Sequence, residues 1–332
     1  MLRLVAEWVY FGWSDMSSLA QVQIYCFLMS YVVSLLGEAW IVLRKQSTLA
    51  RIVVLAFTLA GFFAHTVYLV TRSRSAGLPP LLSSQQDWLL VLAWIGGLLY
   101  LILLISHRQL AHGLFMLPPI LLLVVVAVFA SRQVTGQLDH LALRRLGMFH
   151  AASLVLGIAA VGGGAISGLM YLLHHQRLRS RSGWLQKMRL PSLENLTAVN
   201  RWMVVFSVPC LTIGLITGFI LIFWSRGFDP AHPVRWTDPT IITTVIVWFT
   251  MIAVLIRVLT NPHQTGKAVA QLSLLSGGFL LTTVLGPVIL SESGNLSTFH
   301  SGPSLEKPDA VGVTPANGTP MERQVPPFPI RI

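Results

Sequence analysis

The chain has 332 residues, of which 54% are hydrophobic and only 11% charged, with a mean hydropathy of +0.70. A water-soluble domain carries about 25% charged residues, so this composition excludes one and points to a membrane protein. The formal net charge of +11 falls largely in short loops and reads as a topology signal, not a nucleic-acid site, because no basic patch is interleaved with exposed aromatics.

Residues 1–19 contain Arg3 but also Glu7, Trp8, Trp13 and Asp15, which break up the apolar core a cleavable signal peptide needs. They read as an interfacial lead-in. Eight apolar blocks follow, at 20–43, 49–71, 88–106, 114–130, 147–173, 203–224, 240–260 and 268–290. A hydrocarbon layer of about 30 Å takes roughly 20 apolar residues per helical span. The blocks lack the strict alternation of a membrane β-barrel, and lipid tolerates only helices or closed barrels. The expected fold is therefore all-α: a polytopic membrane protein, a bundle of eight transmembrane helices over residues 20–292. The fourth block is short and holds Pro118-Pro119 near its start. No internal repeat stands out. Cys26 and Cys210 both fall inside spans and read as small core residues instead of a disulfide framework. The segment 293–332 is rich in Pro, Ser, Gly and Asn, a composition that cannot build a packed core.

Loops rich in lysine and arginine stay in the cytoplasm. The basic loops are those with Arg44, Lys45 and Arg51, with Arg177 to Arg201, and with Arg257 and Lys267. With eight spans all three share one side. Both termini are then expected outside, in a multi-pass protein of the bacterial cytoplasmic (inner) membrane embedded in the lipid bilayer.

Ten histidines are many for so apolar a chain, since ionisable groups inside a membrane are expensive. His65 lies within the second span, either hydrogen-bonded between helices or ligating. His150 opens the fifth span and His300 follows the eighth, so both are placed at the outer surface. The same surface receives the loop between spans six and seven, which carries Trp224, His232, Trp236 and Asp238. Flat aromatic walls beside imidazoles suit a planar, metal-bearing ligand such as heme, whose iron takes one or two axial ligands. Zinc fits less well, because no close pair of ligands has zinc spacing. No nucleophile elbow is present. Gly162-Gly163-Gly164 lies mid-span and follows no strand, which fits close helix packing better than phosphate binding.

Several stretches resemble the cytochrome c assembly proteins of the CcsA/HemX type. They are Leu190-Pro191-Ser192-Leu193-Glu194, Leu211-Thr212-Ile213-Gly214-Leu215-Ile216-Thr217-Gly218, Phe149-His150-Ala151, Ala64-His65-Thr66 with Leu92-Ala93-Trp94, and Phe299-His300-Ser301. The resemblance covers most of residues 49–302. It implies that His150 and His300 ligate heme iron beside a tryptophan-rich loop, with Trp224, Trp236, Asp238 and Trp248 around the porphyrin, and that His65 belongs to a second heme position. It also implies apocytochrome c and a second cytochrome c maturation membrane subunit as partners. The chain would be at most the heme-delivery subunit of a heme-attachment complex, with no catalytic residue of its own. The loop is degenerate: Asp238-Pro239 is kept, but Thr237 and Thr243 stand where the family has tryptophans. Leu255 stands where a second intramembrane histidine is expected. The alternative reading is a HemX-type accessory or regulatory protein of heme biosynthesis.

Overall fold

The computed structural model describes residues 23–43, 48–76, 81, 84–106, 112–130, 141–179, 190–228, 239–260 and 266–292. Among them are eight long helices and no strand: α1 (Ile24–Leu43), α2 (Thr48–Ala76), α3 (Gln85–Ser106), α4 (Gly113–Phe129), α5 (Leu141–Arg179), α6 (Leu193–Phe228), α7 (Pro239–Thr260) and α8 (Gly266–Glu292). They follow the eight apolar blocks in order. The protein is an all-α, polytopic membrane bundle. Among the described residues, five helices are long and apolar enough to cross a membrane, and α4 and the Thr244–Arg257 part of α7 are shorter apolar segments.

α5 and α6 outrun their apolar blocks. With 39 and 36 residues they are about 58 and 54 Å long at 1.5 Å per residue, well beyond a hydrocarbon core of about 30 Å. Their extra turns carry Arg144, Arg145, His174, His175, Arg177 and Arg179 on α5, groups that belong in water or the headgroup layer. The helix α4 runs through Pro118-Pro119 and does not start after them. Proline cannot donate to the carbonyl four residues back, and a membrane helix tolerates this where neighbours pack around it. Ser84 caps α3: its hydroxyl accepts from the Asp87 amide at 3.1 Å and donates to the Asp87 carboxylate at 2.8 Å. Arg72 on α2 pairs with that carboxylate at 3.3 Å, which ties one end of α2 to the start of α3.

The helices form two rings of four. In the first half α1 packs on α2 and α4, and α3 joins α2 to α4. In the second, α5 packs on α6 and α8, and α7 joins α6 to α8. The halves touch through α3, α4, α5 and α8. Three contacts recur at matching places. Trp94 on α3 donates from its indole to Thr66 on α2 at 2.9 Å, and Trp248 on α7 donates to Thr212 on α6 at 2.8 Å. Phe27 on α1 lies on His65 of α2, as Gly157 on α5 lies on Leu211 of α6. Glu38 on α1 closes on Gly113 of α4, as Gly168 on α5 closes on Ala270 of α8. These pairs fix one register on every helix. Phe27, Tyr31, Ser34 and Glu38 then match Gly157, Val161, Gly164 and Gly168, all buried. Val54, Thr58, Gly61 and His65 match Asn200, Val204, Ser207 and Leu211, again all buried. A buried helix face repeats every three or four residues in any bundle; the equivalence rests on the contacts falling at the same registers. The repeat that the sequence conceals is thus present in the packing.

Candidate functional site

The densest contact is between α5 and α6, and glycine makes it. A Cβ at Gly214 would come within 2.5 Å of the Leu154 side chain, and one at Gly218 within 2.8 Å of the His150 ring. On the other helix, a Cβ at Gly157 would meet Leu211 at 2.8 Å, and one at Gly163 would meet the Met203 sulfur at 3.2 Å. As α5 numbers rise, the α6 numbers fall, so the two helices run antiparallel. Glycines four apart on α6 make a flat strip, and His150 and Leu154, four apart on α5, lie on it. This gives the stretch Leu211 to Gly218 a physical role. Of the glycine triplet, Gly163 and Gly164 face α6, while a Cβ at Gly162 would meet nothing.

His150 is half-buried on this strip. Its Nδ1 lies 2.8 Å from the Gly214 carbonyl oxygen, so Nδ1 carries the hydrogen and donates it. The Thr217 hydroxyl stands 3.4 Å from the same nitrogen and donates to the Ile213 carbonyl at 2.7 Å. No hydrogen bond to Nε2 is found among the described residues, and that nitrogen keeps its lone pair. A backbone carbonyl fixing one imidazole nitrogen so that the other can ligate is the usual support of a metal-bound histidine. The donor chemistry therefore fits heme iron at His150.

Trp224 lies six residues beyond Gly218, about 9 Å along α6, and is 48% exposed. By the antiparallel register, Arg144 on α5 is level with it. Arg144 is half-buried and Arg145 exposed, about one and a half turns from His150. In the sequence the two arginines count only as loop charge; the extension of α5 past its apolar block places them on the same helix as His150, about 7.5 and 9 Å along its axis and on other faces. His300, Trp236 and Asp238 lie outside the described residues, as does His232.

Trp248 sits elsewhere. It is half-buried, bonded to Thr212 as above, and edge-on to Phe249 with ring centroids 4.8 Å apart. Thr212 lies about 9 Å from Gly218 along α6, so Trp248 pins α7 to α6 below the His150 strip. Leu255, at the expected second histidine position, packs against the apolar core.

His65 is fully enclosed, at 0% exposure. Phe27 stacks on its ring with centroids 4.2 Å apart and planes 1° from parallel, and the Tyr31 hydroxyl is 3.5 Å from Nδ1. Nε2 is buried without a hydrogen bond of good geometry, the Leu90 backbone on α3 being a loose polar neighbour. The structure brings His65 and the Leu92-Ala93-Trp94 stretch together through the Trp94–Thr66 bond and the stacking of Phe62 on Trp94 at 5.3 Å. Among the described residues, no group of three or more His, Cys, Asp or Glu is arranged to hold a metal ion.

No curated protein matches the chain. The sequence model of the family described as cytochrome C assembly protein matches residues 17–289, the whole of the helical region except its last turn. This chain is therefore a member of the cytochrome c assembly protein family, a multi-pass membrane protein with a role in cytochrome c maturation.

Proposed function

We propose that the protein holds heme at the outer face of the bacterial cytoplasmic membrane and delivers it to apocytochrome c, alongside a second membrane subunit of the maturation system. The observation that carries this reading is the hydrogen bond from His150 Nδ1 to the Gly214 carbonyl at 2.8 Å, which leaves Nε2 with the lone pair a ligand needs. His150 and His300 would hold the heme iron. Bound heme supplies the vinyl groups that an apocytochrome's Cys-x-x-Cys-His thiols would attack. The chain's own residues do the rest. The Gly214–Gly218 strip orients the His150 ring, and Trp224 and Trp236 cover apolar porphyrin surface. The orientation, with both termini outside and the basic loops within, belongs to the same proposal, as do the domain limits 1–19, 20–292 and 293–332. In this scheme His65, enclosed in the first half, lies apart from the outer site, at the second heme position that the resemblance implies.

Leu255 in the core favours one other reading, an accessory of heme biosynthesis that meets a cytosolic enzyme through the basic loop near 174–202. Heme staining of cells lacking the chain separates the two. Delivery predicts that covalently attached heme on c-type cytochromes is lost while total b-type heme stays normal. A parallel fall in b-type heme would contradict delivery and support the accessory role.

A further inference from the structure

A buried carboxyl sits in the first half with no part in the His150 site. Glu38 on α1 is 5% exposed, five residues and about 7.5 Å from the end of its helix. Tyr100 on α3 donates to its Oε1 at 2.9 Å. Thr58 on α2 lies beside Tyr100 and 3.1 Å from the Ser34 hydroxyl on α1; each of these two hydroxyls also has a backbone carbonyl of its own helix in reach, Val54 at 2.7 Å and Ser30 at 3.0 Å. One helical turn further along α1, Tyr31 meets His65. Arg51, in the first turn of α2, acts on Glu38 through space, and from α4 it is Gly113 that covers the carboxyl. Tyr31, Ser34 and Glu38 thus line one face of α1, opposite Thr58 and His65 on α2, as a polar ladder inside an otherwise apolar ring.

The second half tells what the architecture itself requires. At the registers of Glu38, Ser34, Tyr31, Thr58 and His65 stand Gly168, Gly164, Val161, Val204 and Leu211, all buried. Counting from the Trp94–Trp248 pair, Tyr100 matches Val254, which is 0% exposed. The same four-helix ring closes there without one polar side chain at these six places. Its own buried polar pair, Asn200 with Ser273 at 2.8 Å, falls where the first half has Val54 and Met116. Packing does not call for the ladder, and intramembrane carboxyl groups are costly enough to mark function.

The ligand class follows from what surrounds the carboxyl. A Cβ at Gly113 would lie 2.5 Å from Glu38 Cγ and 2.8 Å from the Tyr100 hydroxyl. Gly113 thus lies against one side of the carboxyl, and among the described residues no group of three or more His, Cys, Asp or Glu gathers there to hold a cation, which needs several oxygen ligands about 2.0–2.6 Å away. A proton is the ligand that suits a single buried carboxyl bonded to a tyrosine hydroxyl.

We propose that Glu38 is a proton-binding station within the first four-helix half, served by the hydroxyls of Tyr100, Thr58 and Ser34 in a ladder that leads toward Tyr31 and His65. The carboxylate takes a proton and becomes the neutral acid, then returns it; no electron and no co-reactant is involved. The proposal does not rest on heme binding.

Infrared spectroscopy of the full chain in lipid nanodiscs tests it. The wild type is expected to show the carbonyl stretch of a buried protonated carboxyl, diminishing as pH is raised and shifting in heavy water. Glu38→Gln, which keeps the volume and an acceptor for Tyr100, is expected to lose that band alone. Thr58→Val copies Val204, so the fold carries it; it is expected to keep the band but slow its deuterium exchange about tenfold, the effect of losing one buried hydrogen bond. Identical spectra for wild type and Glu38→Gln at every pH would overturn the station. Unchanged exchange in both Thr58→Val and Ser34→Gly would overturn the ladder.

Discussion

His150→Gly is expected to lower the heme carried by the purified protein about tenfold or more. Even the outer partner of a ligating histidine is worth about 10–100-fold in metal affinity, and this substitution removes the ligand itself. The protein is expected to remain in the membrane. Glycine at 150 leaves the α5–α6 strip in place, because Leu154, Leu211 and Met203 still lie against Gly214, Gly157 and Gly163. Added imidazole enters the space left beside Gly218 and restores part of the heme signal. Heme content by pyridine hemochrome, with and without imidazole, checks both halves of the expectation. Equal heme in the variant and the wild type would remove His150 from the site.

Gly168→Val is expected to have the largest effect on the fold. At most close glycines the obstructing atom is a side chain that can turn aside. At Gly168 it is backbone: a Cβ would lie 2.8 Å from the Ala270 carbonyl oxygen and 3.3 Å from its Cα. Neither can move without shifting α8 away from α5, and α8 also closes the second ring onto α7. Overpacking of this kind costs about 3 kcal/mol, and the β-branch of valine adds to it. Thermal unfolding of the detergent-purified protein, followed by size exclusion, is the check. Gly162→Ala is the control, since a Cβ there would meet nothing within 4 Å, and it is expected to unfold with the wild type.

The eight helices were legible because hydropathy reports lipid exposure directly, and α1 to α4 begin or end within a few residues of their apolar blocks. The far ends of α5 and α6 were not, since charged residues at a helix end look like loop when only apolar length is counted. The histidine at 150 could be read from its place at the head of a span. Its support could not, because Gly214 and Gly218 matter through what lies on them from α5, and that pairing is a fact of register. The two-ring repeat stayed hidden for a related reason. The matched contacts are made by unlike residues, Phe27 on His65 against Gly157 on Leu211, and Glu38 on Gly113 against Gly168 on Ala270. Glu38 itself carried a plain signal, an acid within an apolar run, but a single letter does not tell a buried carboxyl from one at the membrane surface. Of the outer aromatic loop only Trp224 is described, on α6; His232, Trp236, Asp238 and His300 lie outside the described residues, and their part in the site comes from the sequence and the family resemblance.

We propose that this chain binds heme between two imidazoles at its outer surface, one of them His150. The most direct test is the absorbance spectrum of the full-length protein purified from cells amply supplied with heme. The expected result is a low-spin, bis-histidine spectrum, lost in large part in both His150→Gly and His300→Gly. A wild-type protein that carries no heme, or a spectrum that survives both substitutions unchanged, would contradict it.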